Sequence, residues 1–144
     1  MDKQGRIKQG KVAEDKVFDI LDKHSITYKP TSKMDEWTPR FDQINGDVFI
    51  YSDKVIKADI KRGAISLKSI DEFKGDVFII SDWDMEDFYV IPAHSMRKYK
   101  ETCLKNDSGI DSLSSGDPGI KFYKAKLDNM RVAKKLEDWI QGGF

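Results

Sequence analysis

The chain has 144 residues, of which 35% are charged and 39% hydrophobic, with 25 lysines and arginines against 25 aspartates and glutamates. That length suits a single domain, 1–144, with one core and no need of staples, and the zero net charge gives no overall pull toward a polyanion. The lone cysteine, Cys103, excludes an internal disulfide and fits a reducing, cytoplasmic setting; Met1 to Arg6 hold no apolar leader, and no apolar run approaches the ~20 residues of a membrane span.

In chain order, residues 9–24 predict an amphipathic helix with Ala13, Val17, Ile20 and Leu21 on one stripe. Ser25 to Lys29 predicts a short strand ended by Pro30, and residues 30–46 a long polar connection containing Trp37, Pro39 and Phe41. Two strands follow, Asp47 to Tyr51 and Val55 to Lys61, then a short helix over Leu67 to Lys74 and strands at Asp76 to Ser81 and Phe88 to Ile91. Ala93 to Leu104 predicts a helix, Asn106 to Gly119 a Ser/Gly/Asp-rich loop, and Ile120 to Tyr123 a strand. One closing amphipathic helix carries Leu127, Met130, Ala133, Leu136, Trp139 and Ile140 and stops at Gly142-Gly143. This order predicts an α/β fold, a central mixed sheet flanked by helices.

Charge is unevenly spread: residues 1–33 carry eight lysines and arginines against five acids, and residues 54–74 carry six against three. The segment Gly46-Asp47-Val48-Phe49-Ile50 recurs as Gly75-Asp76-Val77-Phe78-Ile79, but only the first copy leads to an Asp59-Ile60-Lys61 triplet. Two copies are too few for a solenoid and read as similar sheet strands.

Asp59 and Lys61, two apart in a strand, share a face. A three-residue loop, Ser52-Asp53-Lys54, pairs Asp47 with Asp59, Val48 with Ala58, and Ile50 with Ile56. Only this register gathers Val48, Ile50, Ile56, Ala58 and Ile60 on one apolar face, so the hydrophobic pattern selects it and brings the two aspartates together. Like charges ~4 Å apart repel by ~4 kcal/mol at an effective dielectric of ~20. Such a pair calls for a cation, a shared proton or solvent, and Mg²⁺ is satisfied by one or two carboxylates with water and substrate phosphate. The Ile60 carbonyl is a further candidate ligand, and Lys61 a candidate donor to charge developing on phosphorus. Glu14 falls inside the apolar arc of its helix, between Leu21 and Phe18, where a carboxylate needs a partner.

With these positions the sequence resembles the PD-(D/E)xK nuclease superfamily. Gly10-Lys11-Val12-Ala13-Glu14 is similar to the G-x-x-x-E start of its first helix, Gly46-Asp47 stands at the Pro-Asp position, and Asp59-Ile60-Lys61 at the (D/E)xK position. The resemblance spans roughly residues 8–92, and length and layout are most similar to small Holliday-junction-resolvase-type endonucleases. It implies a restriction-endonuclease-like fold and a Mg²⁺-dependent DNA endonuclease in which Mn²⁺ substitutes, acting as a homodimer. Glu14, Asp47, Asp59 and the Ile60 carbonyl would hold metal, and Lys61 would complete the catalytic set. Gly46 departs from the motif's proline, and segment 30–46 is longer than in compact resolvases. A sequence-specific restriction-type enzyme, reading bases with loops 30–46 and 105–119, and a non-catalytic binding module of the same fold remain open alternatives. The 127–140 helix and the 88–91 strand are candidate dimer surfaces, with core packing the alternative use.

Other features carry less. Gly5-x-x-x-x-Gly10-Lys11 mimics a phosphate loop, but Val12 replaces Ser/Thr and no strand precedes it. Asp82, Asp84, Glu86 and Asp87 read as a solvated turn, His24 as a helix-end partner, His94 as a remote candidate for substrate contact, and Cys103 as an inert, partly buried thiol.

Overall fold

A computed structural model describes residues 3–142. Met1 and Asp2, at the start of the segment read above for an apolar leader, and Gly143 of the closing Gly-Gly pair lie outside the described residues.

Helix α1 (Lys3–Lys23) opens the fold and buries Ala13, Val17 and Leu21, one per turn. Burying Val17 or Leu21 contributes ~1.5–3 kcal/mol relative to exposure, and the Ala13 methyl less. The helix ends where Ser25 adopts a left-handed φ of 56° and the Ile26 N–H donates back to the Leu21 carbonyl at 2.9 Å. Because α1 begins at Lys3, Gly5 and Gly10 are helical: the phosphate-loop mimic is not a loop, and Gly10 is not a helix start.

Strands β1 (Thr27–Pro30), β2 (Val48–Tyr51), β3 (Val55–Arg62), β5 (Val77–Ser81), β6 (Phe88–Pro92) and β9 (Lys134–Lys135) form one six-stranded sheet in the order β1-β2-β3-β5-β6-β9. Among the described residues, β3 and β5 are the one parallel pair of this sheet. Pro30 is tolerated because β1 is an edge strand. The expected register holds: Val48 faces Ala58 and Ile50 faces Ile56.

Every residue of β5 is buried, since both sheet faces are covered. One core holds Val48, Ile50, Ile56, Ala58, Ile60 and Ile79 under α1 and α6 (Leu136–Gln141). The other holds Phe78, Ile80 and Ile91 under α3 (Leu67–Glu72) and α4 (Ala93–Lys105). A second, three-stranded sheet pairs β4 (Ala64–Ser66), β8 (Pro118–Lys121) and β7 (Asp111–Ser112) beside this second core.

Three sequence expectations are corrected. Segment 30–46 is not structureless: it contains a 3-10 turn, Thr31–Lys33, and helix α2 (Pro39–Asn45). Within loop 106–119, β7 and the start of β8 are paired, and β8 ends at Lys121 rather than Tyr123. The closing helix is two helices, α5 (Lys124–Asn129) and α6, separated by β9. Its apolar anchors serve opposite faces of the sheet, Leu127, Met130 and Ala133 in one core and Leu136, Trp139 and Ile140 in the other, so one helix cannot seat them all. Strand 88–91 is interior, between β5 and β9, and its side chains are buried, which removes it as a dimer surface. Among the described residues, no helix is long and apolar enough to cross a membrane.

Candidate active site

The site lies where β2 stops and β3 continues. The last pair of the β2–β3 ladder is Val48 with Ala58. One residue earlier, the Asp47 N–H donates to the Ala58 carbonyl at 2.8 Å, and Asp47 Oδ2 then accepts the Ile60 N–H at 2.7 Å. A side-chain carboxylate thus replaces the backbone acceptor that a longer β2 would have supplied, satisfying a donor that would otherwise be stranded. Backbone bonds fix Asp47 from the other side too: the Thr31 N–H donates to its carbonyl at 3.0 Å, and Thr31 Oγ1 donates to the Gly46 carbonyl at 2.9 Å. Gly46 itself has φ +87°, and a Cβ there would stand 2.5 Å from the Ala58 carbonyl oxygen. Only glycine fits this close approach.

The four expected residues come together. Asp59 is buried, and Lys61 Nζ stands 3.5 Å from Asp59 Oδ2 with its side chain one-third exposed. Asp47 is within hydrogen-bonding reach of both Asp59 and Glu14. Burial pushes the Asp47 carboxyl well above the ordinary aspartate range; the Asp59 charge adds to this, Lys61 opposes it, and a bond to Asp59 and the Glu14 charge raise it further. Of the carboxyls at the site, Asp47 is thus the one most strongly disfavoured as an anion. Glu14 is raised chiefly by burial, against the lowering effect of its bond from Asp47. Lys61 is raised chiefly by the charge of Asp59, against the cost of burial, and stays an ammonium. The Ile60 carbonyl leaves β3 on the same side as the Ile60 N–H that Asp47 engages.

One member escaped the sequence reading. Asp42, on α2, lines a narrow cleft of about 60 Å³ with Asp59, Lys61, Ser69 and Glu72. Thr31 Oγ1 reaches Asp42 Oδ1 at 3.4 Å, and Trp37 also bonds its carboxyl. Burial raises Asp42 first, and the Asp59 charge raises it further. The signal was present: Thr38-Pro39 is a capping residue followed by proline at the first helical position, and Thr38 Oγ1 does accept the Phe41 N–H at 3.0 Å.

The donor set suits a hard cation: carboxylate oxygens, with Glu14, Asp42, Asp47 and Asp59 close to one another and Lys61 beside Asp42, Asp47 and Asp59. The three expected ligands are linked in series through Asp47, and among the described residues no three His, Cys, Asp or Glu side chains stand as a preformed metal-holding group.

The remaining candidates stand apart. Asp76 bonds the Lys57 N–H at 2.8 Å, so the second Gly-Asp copy caps the start of β3 on its β5 side. The acidic turn is more than solvated: Lys124 pairs with Glu86 at 3.4 Å and Asp87 at 3.5 Å. His24 Nε2 lies 3.8 Å from Glu137 at the end of α1. Cys103 is a buried free thiol. His94 lines a separate pocket with Asp76 and Trp139. The chain matches no protein-family model and no curated protein.

Proposed function

We propose that this chain is a metal-dependent endonuclease of restriction-endonuclease-like fold that hydrolyses phosphodiester bonds in DNA. One observation carries the reading: at a strand fork Asp47 meets Asp59, and Lys61, on the same strand face as Asp59, pairs with it. The Ile60 N–H accounts for one Asp47 oxygen, but burying two neighbouring carboxyls beside a lysine is costly, and such clusters concentrate at functional sites.

In this reading Glu14, Asp47, Asp59 and the Ile60 carbonyl hold Mg²⁺ or Mn²⁺, which when bound supplies Lewis acidity toward a phosphate oxygen and toward water. A bound cation would favour the charged form of Asp47 against the burial that disfavours it. Lys61, relieved of part of its pairing with Asp59, donates toward the charge that develops on the phosphoryl oxygens. Asp42, fastened by Thr31 and Trp37, places a further carboxyl beside Lys61. A homodimer would bring two such sites to one substrate, through a surface other than strand 88–91.

A second reading, the non-catalytic module of the same fold, is favoured by one observation, the lack of a preformed three-ligand group among the described residues. Incubation with branched, duplex and single-stranded DNA, with and without Mg²⁺ or Mn²⁺, separates the two. The endonuclease reading expects metal-dependent cleavage of at least one of these substrates; the module expects binding without cleavage.

A further inference from the structure

We propose that Trp37 is a stacking platform for one unpaired base of the substrate strand, next to the phosphodiester that the site cleaves. The inference rests on the nuclease reading and deepens it by naming the form of the substrate. Trp37 lies between the Thr31–Lys33 turn and α2 and is 41% exposed. It is nonetheless held in place. Its backbone N–H donates to the Met34 carbonyl at 3.2 Å, the next residue, Thr38, caps α2, and its indole N–H bonds the Asp42 carboxyl.

Three features point to a base. First, position: Asp42 lines the cleft that holds Asp59 and Lys61, so the indole bonded to Asp42 stands one side chain away from them. Second, open faces: among the described residues no ring, guanidinium or ammonium group lies over the Trp37 indole. Trp83, at 53% exposure, is already covered by the Arg62 guanidinium at 4.1 Å, and the exposed Tyr123 by the Lys126 ammonium at 5.6 Å. The exposed Tyr51 ends β2 at the hairpin, away from Asp47 at the strand's other end. Third, an anchored tryptophan presents a large apolar face at little entropic cost on binding. The charges flanking it cancel, Lys33 and Arg40 against Asp35 and Glu36, so Trp37 supplies stacking rather than attraction for phosphate. A base within a duplex has both faces covered by its neighbours, whereas one at a branch, gap or tail has a face to offer. Because every base has a π-face, Trp37 reads that a base is unstacked, not which base it is.

The test is fluorescence-anisotropy binding in EDTA, so that no cleavage occurs, across a salt series. Two probes share one duplex: the first carries a short deoxyadenosine tail, the second the same tail built of abasic nucleotides, which keeps every phosphate and removes every base. The wild type binds the deoxyadenosine tail about tenfold more tightly than the abasic one. Trp37→Ala lowers the first affinity to the second and leaves the salt slope unchanged, since no phosphate contact is lost. Trp37→Phe, which keeps a ring but not the bond to Asp42, retains most of the preference, and Trp83→Ala retains all of it. Absence of a preference in the wild type, equal losses on both tails in Trp37→Ala, loss of the preference in Trp37→Phe, or its loss in Trp83→Ala would overturn the proposal. Cleavage is scored separately in Mg²⁺: base-dependent binding through Trp37 without metal-dependent cleavage contradicts the nuclease reading alone, and cleavage without base-dependent binding contradicts the stacking platform alone.

Discussion

Asp47 and Asp59 meet at the point where β2 ends beside β3, and the Asp47 carboxyl reaches both the Ile60 N–H at 2.7 Å and the Asp59 carboxyl. The contact follows from register. The β2–β3 pairing that buries Val48, Ile50, Ile56, Ala58 and Ile60 in one core carries both aspartates to the end of the ladder together.

This contact makes stability depend on pH. Asp47 is raised by burial first and by the Asp59 charge next, so the folded state keeps a proton that the unfolded state has released. Stability therefore falls as pH rises from the ordinary aspartate range through the folded-state value, and levels off above it. Asp47→Asn retains an acceptor for Ile60 and a donor toward the carboxyls. It flattens the slope and raises neutral-pH stability. Urea unfolding at pH 5 and pH 8 without divalent cations measures this; identical slopes for wild type and variant would contradict it.

The two Gly-Asp copies differ in what they support. Gly46→Ala forces a left-handed φ of +87° on alanine and drives its Cβ to within 2.5 Å of the Ala58 carbonyl oxygen. It costs about 1–3 kcal/mol and displaces Asp47, so cleavage falls with stability. Asp76→Ala loses the bond from the Lys57 N–H, about 0.5–1.5 kcal/mol, and leaves cleavage intact. Loss of cleavage in a folded Asp76→Ala protein would reverse this ranking.

Much of this was legible in the sequence because alternation along a strand leaves no freedom of register once one face is apolar. The loop length at Ser52-Asp53-Lys54 and the apolar set of β2 and β3 agree on a single answer. What was illegible depends on three-dimensional context. Leu127 and Leu136 continue one helical spacing, yet the chain rounds the sheet edge between them and each fills a different core. Asp42 was hidden by a polar segment whose helix is signalled only by Thr38-Pro39, with no apolar stripe: none of its residues is buried.

Asp42 gives a third prediction. Asp42→Asn keeps contacts to Thr31 and Trp37 but removes an ionisable carboxyl from the cleft shared with Asp59 and Lys61. The single-turnover cleavage rate falls about tenfold, equivalent to ~1.4 kcal/mol of barrier, in wild-type background. In a Lys61→Ala background the same change has little further effect, because the two residues act as a pair. Additive losses would show that Asp42 acts independently of Lys61.

The central claim, that this strand fork hydrolyses phosphodiesters, is tested most directly by single-turnover cleavage measured beside equilibrium DNA binding at fixed salt, for wild type, Asp59→Ala and Lys61→Ala. The account predicts Mg²⁺- or Mn²⁺-dependent cleavage by wild type and its loss in Asp59→Ala. Lys61→Ala should lose ~10²–10³ in rate while affinity stays nearly unchanged, as expected of a group that acts on the transition state. An absence of metal-dependent cleavage by wild type, or equal losses of binding and cleavage in Lys61→Ala, would contradict it.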